Sequence, residues 1–237
     1  KLKNFSVFND HIAFRSLSLD NSGIEKYVSV LESYGYVVKG SYYFEKKKLN
    51  AVHLEHFDKA FPRVFVSELL MGKCSQYLVE SLGDCCLFLN SCFGDGLLTA
   101  GRNWKVKYSV YEKLLQESEY AAWLYVHGFR VNHFTLSVND CLGYNLESVC
   151  NILENSGIKL NSEGGVVKGS ELKGLKQAST LADKVFVKFD DKKEKVLVPS
   201  CYVEFAERFQ LDNQLFNGFL VNSADKIFES TNFNNAA

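Results

Sequence analysis

Asp10-His11-Ile12-Ala13-Phe14-Arg15 is the stretch on which the reading of this chain turns. As a β-strand it alternates without a break. His11, Ala13 and Arg15 face one side, Ile12 and Phe14 the other. An imidazole and a guanidinium around a small residue make a poor apolar surface. They make a serviceable metal ligand with an anion clamp beside it. Asn132-His133-Phe134-Thr135-Leu136 restates the theme later in the chain, with His133 in line with Thr135.

Working outward, residues 23–34 place Ile24, Tyr27, Val28 and Leu31 at helical spacing, closed by Gly35. Strand-like runs follow at 36–44, 51–57 and 63–70, with Lys46-Lys47-Lys48 at a solvated hairpin tip. Residues 72–128 change to helix and loop. There Ser109-x-x-Glu112 has the form of a capping box opening a helix that runs through Tyr125. The first pattern then returns: a strand at 131–138, an amphipathic helix at 145–156, and strands at 166–169, 182–189 and 196–209. Two copies of a βαβββ unit, an α+β architecture, are therefore expected. The last strand of each copy carries a glutamate among apolar residues, Glu68 and Glu204. The expected organisation is a single domain over 1–237. It comprises a first module at 5–71, a helical connector at 72–130, a second module at 131–211 and a tail at 212–237 with a helix at 224–230.

Composition narrows the function. Lys plus Arg number 27 against 28 Asp plus Glu, which argues against nucleic acid as a partner. No apolar run approaches the roughly 20 residues of a membrane-spanning helix. The seven cysteines form no Cys-x-x-Cys pair, which argues against a structural zinc site. Their odd number, with no signal peptide, leads to the expectation of a cytoplasmic protein with free thiols. Oligomeric state is not legible.

Period two places Tyr202, Glu204, Ala206 and Arg208 on one strand face. If the two copies close around one cavity, His11, His133 and Glu204 converge there. Two histidines and a carboxylate form the donor set of non-haem Fe(II) oxygenases, and the same donors hold Zn(II) or Mn(II). Arg15, four residues and roughly 13 Å along its strand from His11, is placed to meet the far carboxylate of a small dicarboxylate at the metal. Arg15 and Arg208 also read as buried ion-pair partners of Glu68 or Glu204, Arg208 more readily than Arg15. His53, His56 and His127 read as structural. Nucleophile motifs and phosphate-binding glycine loops are absent.

Several segments together resemble the 2-oxoadipate dioxygenase/decarboxylase family: DHIAFR (10–15), GSYYFEKKKLNAVHL (40–54), PRVFVSEL (62–69), ESEYAAWL (117–124), NHFT (132–135), QASTLAD (177–183), YVEFAER (202–208), GF (218–219) and ADKIFEST (224–231). The resemblance implies a divergent vicinal-oxygen-chelate, glyoxalase-like fold with Fe(II) on His11, His133 and Glu204. It implies Arg15 on the substrate's distal carboxylate, and Gln177, Ser179 and Thr180 as pocket residues beside Arg208. The implied reaction, within lysine breakdown, takes 2-oxoadipate and O2 to 2-hydroxyglutarate and CO2, with no nucleic acid or membrane partner. Two other readings stand beside it. One is a redox-neutral glyoxalase-like isomerase or hydrolase using Zn(II) or Ni(II), the other a non-catalytic module that binds a small carboxylate.

Overall fold

The computed structural model describes residues 8–18, 23–141 and 143–232. Residues 5–7 and 19–22 of the expected first module, 142 of the second and 233–237 of the tail lie outside the described residues.

The alternating stretch forms β1 (Asn9–Leu17). It is followed by α1 (Ile24–Glu32), β2 (Tyr36–Phe44), β3 (Leu49–His56) and β4 (Arg63–Leu69). The connector holds α2 (Gln76–Ser81), α3 (Gly83–Ser91), α4 (Tyr108–Glu117) and α5 (Glu119–His127). Then come β5 (Val131–Ser137), α6 (Leu146–Asn155), β6 (Lys168–Ser170), β7 (Leu175–Ser179), β8 (Lys184–Val187), β9 (Val196–Pro199), β10 (Tyr202–Arg208) and α7 (Val221–Ile227). One eight-stranded sheet runs β2-β3-β4-β1-β5-β10-β7-β6. Its two central strands, β1 and β5, pair antiparallel, and each pairs parallel with the last strand of its own unit, β4 or β10. The repeat is therefore a near two-fold arrangement about the β1–β5 seam.

Alternation decides the two faces. Phe14 on the outer face packs on Tyr27 of α1, and Val138, Ala178 and Phe205 pack with Val149 and Cys150 of α6. Both helices are amphipathic, so each covers half of the outer face. The inner face, bearing His11, is covered by α5 and by the segment around Phe219 and Phe228. Helix α5 is buried from Tyr120 to His127 on all sides.

Four sequence expectations are corrected. The second unit's middle strand is β7, in LKQAS, a run without β-branched residues. Its pairing with β10 and β6 makes it a strand where its own propensity does not. The run at 182–189 instead forms β8, which pairs with β9 as a separate hairpin, and the strand expected over 196–209 breaks at Ser200–Cys201. The helix expected through Tyr125 is two helices. Ser118, extended at φ −153°, ends α4 and caps α5 by accepting from the Ala121 N–H. Finally, Ser109 is no capping residue, because α4 begins at Tyr108 and its first amides donate to the carboxylate of Asp191 beyond β8.

The backbone N–H of Ser109, with that of Tyr108 and the Ser109 hydroxyl, holds the Asp191 carboxyl at about 2, below its ordinary 3.8. A carboxyl depressed in the folded state stabilises it fully above the unfolded pKa and loses that contribution as pH falls through the folded one. Asp191→Ala is therefore expected to lower the urea midpoint at pH 7, and the deficit should shrink between about pH 4 and pH 2. An equal deficit at both ends of that window would contradict the cap.

The paired-glutamate expectation also changes. Arg63 lies beside His11 and Phe65 beside Ala13, whereas Tyr202 lies beside His133 and Glu204 beside Thr135. Counted from the histidine rows, Phe65 is the counterpart of Glu204, and Glu68 is the counterpart of Glu207. Glu68 accepts from the N–H of Ile24, and Glu207 accepts from that of Leu146, each at 3.0 Å. Those amides open α1 and α6. Both glutamates satisfy helix N-termini, and the ligand-type Glu204 has no twin.

Candidate metal centre

His11, His133 and Glu204 come together on the inner face at the seam. Among the described residues they form a group whose ligand atoms all lie within 4.8 Å of one another. His133 Nε2 is 3.3 Å and His11 Nε2 3.8 Å from the same oxygen of Glu204, Oε2. All three side chains are buried.

What aims the imidazoles is a pair of β-bulges. Asn9 faces Leu136 and His11 faces Thr135, so Asp10 is an extra residue on β1. Ala13 faces His133 and Phe14 faces Val131, so Asn132 is an extra residue on β5. Each bulge residue turns back onto the histidine that follows it. His11 Nδ1–H donates to Asp10 Oδ1 at 2.8 Å, and His133 Nδ1–H to Asn132 Oδ1 at 3.0 Å. That places the proton on Nδ1 in both rings and the lone pair on Nε2. The Thr135 hydroxyl donates to His11 Nε2 at 3.0 Å.

Burial, with the charge of Arg15 adding to it, holds the His133 pKa well below the ordinary imidazole value, so this ring is neutral. Burial also raises the Glu204 carboxyl, against the pull of His11 and of the Gln177 amide, which donates to Oε1 at 2.5 Å. Two imidazole lone pairs and a carboxylate oxygen thus face one another in a dry interior. A cation shared by the three would satisfy them together. The donor set fits a divalent metal.

The remaining predicted site residues sort differently. Arg15 is buried on the metal's face. Its Nη1 donates to Glu119 and its Nη2 to Thr231, each at 2.8 Å. Its guanidinium lies 4.7 Å from the Tyr120 ring and 5.1 Å from that of Trp123. Arg208 clasps Asp10 with Nε and Nη2 at 2.6 and 2.8 Å, while its Nη1 donates to the carbonyls of Phe216 and Gly218. Neither arginine pairs with Glu68 or Glu204. Burial alone would raise the Asp10 carboxyl, but the Arg208 guanidinium and His11 hold it far below the usual carboxylate range. Ser179 is hydrogen-bonded to Ser230 at 2.8 Å on the inner face. Thr180 accepts from the Val203 N–H and lines an outer-face hollow with Phe134 and Val203, away from the metal ligands.

The side chains missed in the sequence are Asp10, Asn132, Glu119, Thr231 and Phe219. Phe219 stands edge-on to His11 with ring centroids 4.8 Å apart, and its N–H donates to Tyr42 Oη. The Asp-His and Asn-His dipeptides were the available signal for the first two.

Residues 3–102 and 97–215 match the 2-oxoadipate dioxygenase/decarboxylase family. The chain belongs to this family. A relative from Arabidopsis thaliana, 2-oxoadipate dioxygenase/decarboxylase, chloroplastic, is 36% identical over 251 residues, covering 94% of this chain and 67% of its own. The crystal structure of the hydroxyglutarate synthase in complex with 2-oxoadipate from Oryza sativa superposes with a TM-score of 0.86. It is 31% identical over 97% of this chain and 82% of that one. A Shewanella frigidimarina NCIMB 400 structure, described only as a hydrolase candidate, has a TM-score of 0.85 at 42% identity over 91% of this chain and 85% of its own. The family and the two βαβββ units agree with the glyoxalase-like α+β fold expected from the sequence. The expectation of a cytoplasmic location is overturned, since the Arabidopsis relative is chloroplastic. Cysteine usage distinguishes a reducing compartment from an oxidising one, and a plastid is not separated from cytosol by that criterion.

Proposed function

We propose that this chain converts 2-oxoadipate and O2 to 2-hydroxyglutarate and CO2 at an Fe(II) centre held by His11, His133 and Glu204, a step of lysine degradation. The observation that carries the reading is the convergence of three buried ligand atoms in a member of this family. A six-carbon oxo diacid plus O2 balances a five-carbon hydroxy diacid plus CO2, so no second organic cosubstrate is needed. Iron, when bound, supplies the one-electron chemistry that O2 requires and a Lewis acid for the 2-oxo acid.

The protein's own contributions follow from the geometry. Asp10 and Asn132 hold both imidazoles with Nε2 toward the site, and the Thr135 hydroxyl would release His11 Nε2 to a bound metal. Gln177 donates to the Glu204 oxygen turned away from the histidines and so orients the carboxylate. Phe219, packed on Phe65 at 5.0 Å between centroids, excludes water from the His11 side. Arg15 supplies the fixed positive charge for the substrate's distal carboxylate. Arg208 acts through Asp10 as a positioning residue rather than as a substrate contact. Ser179 secures the turn that carries Thr231, and Thr180 has no part in the pocket.

Protein loaded with Fe(II) under nitrogen and then exposed to air should consume one O2 for each 2-hydroxyglutarate formed from 2-oxoadipate. Conversion of a 2-oxo acid under nitrogen would instead indicate redox-neutral chemistry, and no O2 uptake with any 2-oxo acid would sink the dioxygenase reading.

A further inference from the structure

Among the buried polar atoms without a hydrogen-bond partner in the protein, Tyr202 Oη and Arg15 Nε lie beside the candidate metal ligands on the inner face, as do Gln177 Oε1 and Asn132 Nδ2, whose side chains already bond Glu204 and His133. Tyr202 is 4% exposed and Arg15 1%. A phenol hydroxyl sealed from water without a partner is unfavourable, and a buried site that keeps one is short of an acceptor. The hydroxyl is not free to swing away. The Tyr202 ring stacks on His133 with centroids 4.5 Å apart and planes 23° from parallel. From there it lies in the field of Glu204 and of Arg15.

Arg15 shows the complementary deficit. Carboxylates usually take two parallel N–H bonds from an arginine, but both Nη atoms of Arg15 are already engaged, with Glu119 and Thr231. Nε is the guanidinium nitrogen that has no partner at all, and its single N–H makes half a clamp. We infer that Tyr202 is a specificity-determining residue, whose hydroxyl donates to the substrate carboxylate farthest from the metal and completes the clamp with Arg15 Nε. The ligand class is an oxo acid with a second carboxylate, and the inference rests on the substrate reading above.

Tyr202→Phe keeps the ring on His133 and removes only the donor. Binding is measured under nitrogen on the Fe(II)-loaded wild type and variant, with 2-oxoadipate and with 2-oxohexanoate, the acid of equal length that ends in a methyl group. The expected result is about a ten-fold or greater loss of 2-oxoadipate affinity in the variant, a hydrogen bond to a charged group being removed. Affinity for 2-oxohexanoate and iron content should stay unchanged, and the melting temperature of the ligand-free variant should not fall, since an unpartnered buried hydroxyl is removed. Unchanged 2-oxoadipate binding overturns the inference. So does an equal loss for both acids, which would put the hydroxyl at the metal-proximal end, and so does loss of iron, which would reduce Tyr202 to a support for His133. A wild type that binds neither acid overturns the substrate reading itself, and this inference with it.

Discussion

Glu204→Gln is expected to empty the metal centre and, at the same time, to make the metal-free protein more stable. The variant keeps a hydrogen-bonding oxygen for Gln177 but removes the only charged ligand. Affinity for a divalent metal should fall by more than about 100-fold, beyond what loss of an outer-shell partner does. Turnover should fall on the order of a thousand-fold, since a bound metal supplies several kcal/mol of transition-state stabilisation. The stability gain comes from the same burial that makes the site work. Burial raises the Glu204 carboxyl pKa above its ordinary value, so above the ordinary carboxylate range this group weighs against the metal-free fold. A neutral amide carries no such penalty. Chelator competition and thermal unfolding of both metal-free proteins test the two halves separately. A metal-free variant that melts below metal-free wild type would refute the argument that this carboxylate is held against its own solvation.

Asp10→Ala should act in the opposite direction on stability. Arg208 is 3% exposed and directs four hydrogen bonds inward, two to Asp10 and two to the carbonyls beside it. Without the carboxylate its guanidinium is buried and uncompensated. Breaking a buried pair in this way costs about 3–5 kcal/mol. In a chain of this size that is a drop of roughly 6–20 °C in melting temperature. His11 also loses the acceptor that fixes its tautomer, so metal affinity should fall about 10- to 100-fold. Asp10→Asn separates the effects, because it reproduces at His11 the amide partner that His133 already has in Asn132. It should retain most of the metal affinity while still losing stability through Arg208. Equal metal loss in both variants would show that the charge of Asp10, and not its hydrogen bond, matters to His11.

The convergence of the three candidate ligands was legible because each lies on a strand whose alternation is visible. His11 with Ala13 and Arg15, and Glu204 with Ala206 and Arg208, share the inner face as the pattern requires. What the pattern could not carry was register. Glu68 and Glu204 look alike in their local sequences, yet only the strand pairing shows that Glu68 belongs with Glu207 at a helix end. Bulges are equally silent: nothing in Asn9-Asp10-His11 marks Asp10 as supernumerary, because the extra residue is defined by the partner strand. The partners of Arg15 lie on α5 and near residue 231, distances over which one sequence carries no contact information. Strand β7 escaped for a related reason, since LKQAS becomes a strand through two neighbours that arrive before and after it.

The β1–β5 seam also sets a timetable. His11 stands on a strand made early in synthesis, but its neighbour β5 follows only after the whole helical connector, and Glu204 follows later still, on β10. A nascent chain that has displayed only its first unit can offer a passing ion one imidazole, and one that has reached β5 can offer two. The charged ligand arrives only when β10 slots between β5 and β7. The full set of three candidate ligands thus exists only once β10 is in place, and a chain interrupted before it lacks the carboxylate.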